Sequence, residues 1–502
     1  MIHPEAADFA RVYEAGKPQL VWTRRIADTE TPVSAMLKLG KAGSGAFVLE
    51  SVEGGTVRGR YSLLGFAPDL VFRVRGKQAE VNDRFASAPD AFTPVDAAPL
   101  DALRVLVAGC RMDLPPDLPP AFACLVGYMG YETIGLVEPV PTPESDPLGL
   151  PDMLFVRPSL LLAFDRLKDE LFIAAPVFPN DLPADEALAA AIERIETAEA
   201  RLAGALPQGP RETALPASSD VTHHTDPARY AEMVRRAQEY IVAGDIFQVV
   251  LAQRFSIPFA LPPFSLYRSL RRINPSPFLY MLDLPGFALI GSSPEILVRV
   301  RGGEVTVRPI AGTRPRGANA VEDAANRDSL LADPKELAEH LMLLDLGRND
   351  VGRVSAEGSV SVTERNTVEF YSHVMHIVSN VRGDLAKDKD AIDALMAGFP
   401  AGTVSGAPKV RAMQIIAELE AEKRGAYAGG VGYFSPDGSM DSCIVLRTAV
   451  VKDGTMHIQA GAGIVADSTP AYEQRECEAK SGALIAAARD AISRAGAPGY
   501  GQ

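Results

Sequence analysis

A pair of glutamates three residues apart opens a helix-like segment in the second half of the sequence. Asp333 is a favoured N-cap residue and Pro334 suits the first helical position, so Glu336 and Glu339 are predicted to share one face of the first turns. Glu336 alone could serve as a capping-box acid. Glu339 lies outside the capping-box position, so helix capping does not explain it. The opposite, buried stripe is predicted to consist of Leu337, Leu341 and Leu344.

A second pair repeats this spacing near the C-terminal end. Thr469 and Pro470 predict a helix start, which places Glu473 and Glu476 on one face with Lys480 one turn further along. A single glutamate in a first helical turn is usually explained by the helix dipole. Four carboxylates on two helices, however, are the ligands that a hard cation such as Mg²⁺ prefers.

The residues before this second pair read as an apolar strand followed by a glycine turn. Gly461 and Gly463 allow a ligand to approach the backbone closely and offer N–H groups to an anion. The segment GAGIVA imitates a dinucleotide fingerprint, but the helix that it should open begins too late and no βαβ unit follows. The sequence therefore predicts an anion and metal site rather than a nucleotide site.

Composition limits the classes of function. The chain has 502 residues, 47% of them hydrophobic, which is enough for one or two large cores, and its formal charge of −14 disfavours nucleic acid and anionic membranes as partners. The first residues lack the apolar core of a signal peptide, and no run of eighteen apolar residues occurs, so a cytoplasmic location is expected. Four scattered cysteines predict reduced core residues, namely Cys110, Cys124, Cys443 and Cys477.

The chain is predicted to divide at a polar, proline-bearing stretch. Residues 206–227 are expected to be a linker between an N-terminal region, 1–205, and a C-terminal region, 228–502. Within the first region, Thr31–Leu39 is predicted to be a helix. Most residues with chemical potential lie in the second region.

Seven segments of the C-terminal region identify a family resemblance. In order, they are DIFQVVLAQRF, GSSPEILV, RPIAGTRPRG, ELAEHLMLLDLGRND, HIVSNVRG, FPAGTVSGAPKVRAM and GAGIVADSTPAYEQRE. They cover most of residues 228–485 and resemble the chorismate-utilising enzymes, specifically the large component of anthranilate synthase. The resemblance implies an α+β fold, a large antiparallel β-sheet sandwich flanked by helices, and Mg²⁺-dependent formation of anthranilate and pyruvate from chorismate and ammonia as the first committed step of tryptophan biosynthesis.

The resemblance also assigns the acids and the anion contacts. It implies that Glu339 and Glu476 bind Mg²⁺ while Glu336 and Glu473 support it through water. Two like charges about 4 Å apart repel by about 4 kcal/mol at an effective dielectric near 20, so acids that face a substrate carboxylate require the cation. The implied contacts to the ring carboxylate are the backbone of Gly461, Ala462 and Gly463, together with Lys480.

The remaining substrate and catalytic roles follow from the same resemblance. Arg447 and Tyr427 are expected to bind the enolpyruvyl carboxylate, a role that suits a guanidinium. Glu295 is expected to assist departure of the ring hydroxyl, and His376 to transfer the proton that accompanies pyruvate loss. The other implied site residues are Gly312, Thr313, Thr403 and Gln248.

Two positions discriminate among relatives. Aminodeoxychorismate synthases carry a lysine that forms a covalent adduct where this chain has Ala311, so para-aminobenzoate synthesis is disfavoured. Isochorismate and salicylate synthases place a water-activating lysine at the position of Gln248, so ammonia is the expected nucleophile here. Enzymes that stop at aminodeoxyisochorismate remain an alternative.

A regulatory pocket is also implied. The segment LES at 49–51 resembles the tryptophan-binding motif of the family, which predicts feedback inhibition; a non-catalytic tryptophan sensor is the alternative from another class. The expected inhibitor contacts are Leu49, Glu50, Ser51, Pro275, Pro277, Leu279, Tyr280, Tyr433 and Cys443.

The nitrogen source is expected to lie on another polypeptide. No cysteine stands in a setting typical of a glutaminase, and an amidotransferase domain needs on the order of 200 residues of its own. The resemblance implies a separate glutamine amidotransferase subunit and a heterotetramer of two large and two small subunits.

Overall fold

A computed structural model describes residues 1–53, 57–115, 118, 122, 125–207, 220–371 and 374–495. Cys124 and residues 208–219 of the predicted linker lie outside this set. The described helices are α1 (Ala6–Glu14), α2 (Pro32–Leu39), α3 (Pro99–Gly109), α4 (Ala184–Ala203), α5 (Pro227–Val242), α6 (Pro263–Ile273), α7 (Ala320–Ala332), α8 (Pro334–Gly352), α9 (Ala391–Gly398), α10 (Lys409–Glu420) and α11 (Pro470–Arg494), with 3₁₀ helices at Tyr131–Leu136 and Gly402–Val404.

The described strands outnumber the helices and form antiparallel ladders. They are β1 (Gln19–Ile26), β2 (Ala46–Glu53), β3 (Val57–Arg75), β4 (Gln78–Asn82), β5 (Thr93–Val95), β6 (Leu125–Met129), β7 (Met153–Asp165), β8 (Glu170–Val177), β9 (Thr222–His223), β10 (Gln248–Pro258), β11 (Phe278–Leu284), β12 (Phe287–Ser293), β13 (Ile296–Arg301), β14 (Glu304–Val307), β15 (Ile310–Pro315), β16 (Ser361–Phe370), β17 (Val374–Asp384), β18 (Gly406–Ala407), β19 (Gly430–Phe434), β20 (Met440–Ile444), β21 (Thr448–Lys452) and β22 (Thr455–Ile464).

Strand pairing resolves these strands into two sheets joined by two long strands. The first sheet runs β1–β8–β7–β3–β2–β11–β12–β21–β22–β10. The second runs β5–β4–β3–β7–β6–β19–β20–β13–β14–β17, with β15 and β16 also on β17. Because β3 and β7 continue from one sheet into the other across a register shift between Pro68 and Leu70, the sheets close into the predicted sandwich.

Alternating side chains of the first sheet enter two separate cores. In β2, Ala46 and Val48 belong to one buried cluster and Phe47 to the other; in β11, Met281 and Tyr280 divide in the same way. Successive side chains of a strand point to opposite faces, so one face packs inside the sandwich and the other lies under helices. The α+β architecture predicted from the sequence is confirmed.

The two predicted regions are interleaved by strand pairing. β2 pairs with β11, and β6 pairs with β19, so each sheet contains strands from both regions. The last part of the predicted linker also joins the fold, since Thr222–His223 forms β9 and pairs with β10. The region boundaries themselves stay a prediction.

Helix starts largely follow the predicted signals. Thr31 caps α2 through a reciprocal pair of hydrogen bonds with Ser34, and the Asp333 carboxylate caps α8 at Lys335 and Glu336. Thr469 and Pro470 begin α11 as predicted, with Thr469 at the N-cap position, although its side chain forms no cap hydrogen bond.

Two further local predictions are corrected by long-range packing. Leu344 is buried as predicted, but Leu341 is 52% exposed, because the buried face of α8 carries His340, Leu344 and Val351. Gly461 and Gly463 lie within β22, paired with Ala252 and Val250 of β10, and not in a turn.

The described cysteines are buried and unbridged, as expected for reduced core residues: Cys110, Cys443 and Cys477. In the part of the chain that the structure describes, no helix is long and apolar enough to cross a membrane.

Candidate active site

The predicted site residues converge where β22 and β10 meet two helices. α11 packs against β22, and α8 packs against β15 and β17. β21 accompanies β22 only as far as Ile458, so the edge of β22 beyond this residue has no strand partner among the described strands other than β10. This open edge carries Gly461, Ala462 and Gly463.

The two glycines are required by close approach of neighbouring side chains. A Cβ at Gly461 would lie 2.8 Å from the Tyr427 hydroxyl oxygen, and a Cβ at Gly463 would lie 2.5 Å from the Gln248 Nε2. Any larger residue would therefore displace Tyr427 or Gln248, two of the predicted site residues.

Lys480 connects α11 to the same strand. Its Nζ donates to the carbonyl oxygen of Gly461 at 2.9 Å and forms an ion pair with Glu476 Oε1 at 2.6 Å. The spacing of one helical turn between Glu476 and Lys480 makes this pair possible. The ammonium group is thus fixed beside the open strand edge, where an anionic ligand could reach it.

The acids of α8 and α11 face each other across the site. Burial, followed by the charges of Glu336 and Glu476, raises the pKa of Glu339, while a hydrogen bond from Gln248 opposes the shift. Glu473 is buried, and its pKa is raised first by burial and then by the charge of Glu476. This mutual repulsion marks a place where a bound cation would be stabilised.

The counter-charges on these acids differ. Glu336 pairs with Arg314 at 2.9 Å and accepts the backbone N–H of Thr313 at 3.2 Å, whereas Glu476 pairs with Lys480. No ion pair to Glu339 is present among the described residues, and no three of their carboxylate, imidazole or thiol side chains form a preassembled metal cluster. The donor set fits Mg²⁺ chemically, and in the described part of the chain neither Glu339 nor Glu473 is neutralised by an ion pair.

Glu295 is a buried carboxyl at the end of the β12–β13 connection. It is 8% exposed, and Thr403 Oγ1 donates to its Oε1 at 3.2 Å. Burial raises the pKa of Glu295 to about 8, although the Thr403 hydrogen bond lowers it. The group is therefore mainly protonated at neutral pH and able to act as a general acid.

His376 presents a defined nitrogen to the site. Its Nδ1 lies 3.1 Å from the carbonyl oxygen of Gly312 and 3.0 Å from Thr313 Oγ1. A carbonyl only accepts, so Nδ1 carries the proton and Nε2 of the neutral ring is free to accept one. Burial lowers the pKa of His376 to about 4, with a smaller lowering by the charge of Arg447.

The backbone around His376 is shaped by Gly312. This residue has a φ of 76° at a register shift between β15 and β17, a conformation that favours glycine. A Cβ there would also lie 3.2 Å from Glu336 Oε2. The bulge thus connects the orientation of His376 with the position of an α8 carboxylate.

Arg447 occupies the break between β20 and β21. Its φ is 51°, which is uncommon for a residue with a side chain, and its carbonyl accepts from Ser292 N at 3.1 Å. Burial lowers the pKa of its guanidinium, and the ion pairs of the described residues include none to it. A half-buried cation of this kind is poised to bind a carboxylate.

A second cavity of about 810 Å³ contains most of the predicted inhibitor contacts. The predicted residues that line it are Leu49, Glu50, Ser51, Pro277, Leu279, Tyr280, Tyr433 and Cys443. Pro275 is not part of this lining. The Glu50 carboxylate is already saturated by Arg166, Arg271, Tyr267 and Ser62, so it is not free to receive a ligand.

Several residues of the site were not singled out from the sequence. Arg314 neutralises Glu336, and the Tyr371 ring lies edge-on to the His376 imidazole, with 5.4 Å between centroids. Arg314 lies in the segment RPIAGTRPRG, so the sequence did offer a signal for it. No sequence signal pointed to Tyr371, because its contact with His376 depends on the pairing of β16 with β17.

Comparison with known proteins identifies the family of this chain. The family described as chorismate binding enzyme matches residues 59–486. The chain is 53% identical to anthranilate synthase component 1 of Cereibacter sphaeroides, covering 96% of this chain and 97% of that protein, and 48% identical to its counterpart from Thermus thermophilus, covering 92% and 96%.

Solved structures of two related enzymes share the fold of this chain. The crystal structure of anthranilate synthase component I from Streptococcus pneumoniae superposes with a TM-score of 0.75 at 36% identity, covering 92% of this chain and 98% of that one. The menaquinone-specific isochorismate synthase from Escherichia coli, at 18% identity and a TM-score of 0.71 over 96% of this chain and 100% of that one, shares the fold. With curated relatives matched over nearly their full length, the chain belongs to the chorismate-binding enzymes and, among them, to the anthranilate synthase component 1 family.

Proposed function

We propose that this chain is the chorismate-converting subunit of an anthranilate synthase, which forms anthranilate and pyruvate from chorismate and ammonia. The observation that carries the proposal is the buried Glu295 carboxyl, whose pKa burial raises to about 8, in a site that also contains a base, His376, and the cations Arg447 and Lys480. Chorismate has two carboxylates for the two cations and a hydroxyl for the acid.

The residues divide the reaction into two stages. In the first, ammonia forms a C–N bond to the ring while the ring C–O bond breaks, the proton of Glu295 leaves with the hydroxyl oxygen as water, and the new ammonium group loses one proton to give the amine. In the second, His376 Nε2 removes the ring proton, the bond between the ring and the enolpyruvyl oxygen breaks as the ring aromatises, and the enolate that leaves takes up a proton on its methylene carbon to give pyruvate. Thr403 holds Glu295 through its hydrogen bond.

The acids supply a metal site for the ring carboxylate. Glu339 and Glu476 would hold Mg²⁺ directly, with Glu336 and Glu473 acting through water, and the cation would offset the repulsion between these acids and the substrate. Lys480 and the backbone of Gly461–Gly463 would complete this anion site. Arg447, together with Tyr427, would bind the enolpyruvyl carboxylate.

Two side chains favour anthranilate over related products. Ala311 is buried in β15 and has no nucleophilic group that could form an adduct with chorismate. The contact with Gln248 lowers the pKa of Glu339, and a neutral amide cannot activate water as a lysine base would. Ammonia is therefore the proposed nucleophile.

A separate glutamine amidotransferase is the proposed source of ammonia. Cys443 and Cys477 are buried thiols, and burial raises the pKa of Cys477 to about 11 and that of Cys443 further, which disfavours a thiolate nucleophile. The relatives from Cereibacter sphaeroides and Thermus thermophilus are named component 1, which fits a complex with a second component.

The 810 Å³ cavity is the proposed site of tryptophan inhibition. Apolar side chains of the paired strands β2 and β11 line part of it, and arginines such as Arg299 and Arg301 line another part, a combination that suits the ring and the carboxylate of an aromatic amino acid. Pro294 and Ile296, which flank Glu295 in sequence, also line it, so an occupant would contact the neighbours of the proposed acid.

Anthranilate fluorescence provides the test. Purified chain with chorismate, Mg²⁺ and ammonium salts at alkaline pH should form anthranilate, whereas glutamine should support synthesis only after an amidotransferase subunit is added. Formation of para-aminobenzoate or salicylate would contradict the roles given to Ala311 and Gln248. Saturable binding of tryptophan by a chain that forms no anthranilate would instead favour the non-catalytic tryptophan sensor.

A further inference from the structure

The largest fully buried side chain belongs to Arg424, which follows α10 and has no assigned role in the site. Its side chain is 1% exposed and forms an ion pair at 2.6 Å with Glu420, the last residue of α10. Replacing a buried ion pair by apolar residues is often neutral or stabilising, so stability alone gives a weak reason for such a pair. Its remaining contacts point to a different reason.

The Arg424 guanidinium binds two backbone segments of the site. Its NH1 group donates to the carbonyl oxygen of Val404 at 2.7 Å, and its NH2 group donates to that of Val250 at 2.8 Å. Val404 follows Thr403 in the 3₁₀ helix, while Val250 lies in β10 opposite Gly463. One planar cation therefore fixes the distance between the turn that carries Thr403 and the strand beside the glycines.

Glu420 extends this connection along β10. Its Oε1 accepts the backbone N–H of Ala252 at 2.8 Å, opposite Gly461. The Glu420–Arg424 pair thus binds β10 at both residues that face the two glycines. Gly461 in turn lies close to Tyr427, since a Cβ at this position would be 2.8 Å from the Tyr427 hydroxyl oxygen, so a shift of β10 together with β22 would change the spacing between the strand edge and Tyr427.

Arg424 also lies between two tyrosine rings. Its guanidinium carbon is 4.7 Å from the ring centroid of Tyr131 and 5.5 Å from that of Tyr427. A guanidinium within about 6 Å of the centroid of a tyrosine ring is attracted to the face of that ring, more strongly when it is desolvated. The cation therefore also positions the ring of Tyr427, a proposed substrate contact.

The N-terminal region holds Arg424 in place. The Glu132 carboxylate accepts the backbone N–H groups of Arg424 at 2.7 Å and Gly425 at 3.0 Å, and the Gly425 carbonyl accepts from Tyr131 N at 2.8 Å. The 3₁₀ helix Tyr131–Leu136 thus reaches the site through this arginine.

We infer that Arg424 is a positioning residue for the proposed reaction: through the carbonyl groups of Val404 and Val250 and the ring of Tyr427, it sets Thr403 against Glu295 and Tyr427 against the strand edge. The inference rests on the proposed function for its kinetic readout. Its geometric content, the Thr403–Glu295 contact, is independent of activity.

The test compares Arg424→Lys with a matched control, Arg157→Lys. Arg157 also forms a bidentate pair with a carboxylate, Asp69, and stacks over an aromatic ring, Phe178, at 3.9 Å, but its contacts are in the N-terminal region. A lysine keeps the charge but cannot reach two carbonyls and a carboxylate in one plane. Both variants should show a lowered thermal midpoint.

Only Arg424→Lys should change catalysis. We expect kcat for anthranilate formation to fall at least about tenfold, and the alkaline limb of its pH profile to move upward, because Glu295 loses the Thr403 hydrogen bond that lowers its pKa. In a Thr403→Val background the same substitution should have a clearly smaller effect on kcat. The inference would be overturned if Arg424→Lys had the same kcat, and the same alkaline limb of its pH profile, as Arg157→Lys.

Two further measurements keep the outcome decisive. If Arg424→Lys does not fold, Glu420→Gln, which keeps the arginine but weakens its anchor, should lower kcat and shift the limb in the same direction; an unchanged profile would reject the inference. If the wild type makes no anthranilate, the proposed function fails, and a crystal structure of Arg424→Lys then decides. An intact Thr403–Glu295 hydrogen bond in that structure would reject the positioning role.

Discussion

Replacing Glu295 by glutamine should make the protein less active but more stable. Burial raises the pKa of this carboxyl from an ordinary value of 4.5 to about 8, so the folded chain binds its proton more tightly than the unfolded chain does. Stability from this group is complete below pH 4.5 and is lost as the pH rises through about 8. At pH 9 the burial of the carboxylate opposes folding by about 5 kcal/mol as an upper limit.

Glutamine removes this penalty while keeping the shape and the acceptor for Thr403. After relaxation around the charged group is allowed for, Glu295→Gln should raise the unfolding free energy by about 2–4 kcal/mol at pH 9 and by less at pH 6. The amide cannot donate a proton to the ring hydroxyl, so kcat should fall by about 10²- to 10⁴-fold.

The assay combines anthranilate fluorescence with thermal unfolding at pH 6 and pH 9, at a constant concentration of free ammonia. In the wild type, kcat should decrease about tenfold for each pH unit above about 8, because Glu295 loses its protonated form.

Asp283→Asn serves as the matched control. Asp283 is buried, accepts Gly43 N at 2.7 Å, and has a pKa raised by burial to about 6. Its substitution should also stabilise the chain above pH 6, but with unchanged kcat. A Glu295→Gln protein with kcat within about threefold of wild type, or with a lower midpoint at pH 9, would refute the reasoning.

Three further outcomes are expected. Arg447→Gln should raise KM for chorismate about ten- to hundredfold, since losing a charged hydrogen bond costs about 1.5–3 kcal/mol, and an unchanged KM in steady-state kinetics would contradict the role of Arg447. Glu339→Gln and Glu476→Gln should each abolish or greatly weaken Mg²⁺-dependent turnover without unfolding the chain, as judged by circular dichroism, while the exposed Glu478→Gln should not; full wild-type activity in EDTA would exclude the metal site. Ser51→Phe should relieve inhibition by tryptophan with turnover largely kept, because the ring would fill part of the 810 Å³ cavity, and an identical inhibition curve would remove this cavity from regulation.

Local interactions made part of this protein predictable from its sequence. The start of α8 depends on Asp333 and Pro334, and the shared face of Glu473 and Glu476 depends on helical spacing, all within a few residues of chain. The ordered segments of the C-terminal region likewise predicted the α+β fold and the family, and both are confirmed. Roles assigned to individual residues stay predictions until they are measured.

Tertiary structure decided the electrostatics, because burial and long-range pairing have no local signature. Nothing in GSSPE indicates that Glu295 is buried with a raised pKa, and nothing near Glu336 indicates that Arg314 neutralises it while Glu339 receives no such partner among the described residues. The glycines of β22 were expected in a turn, yet pairing with β10 extends them as a strand. Sequence spacing thus determined which groups could act together, and packing determined their charges.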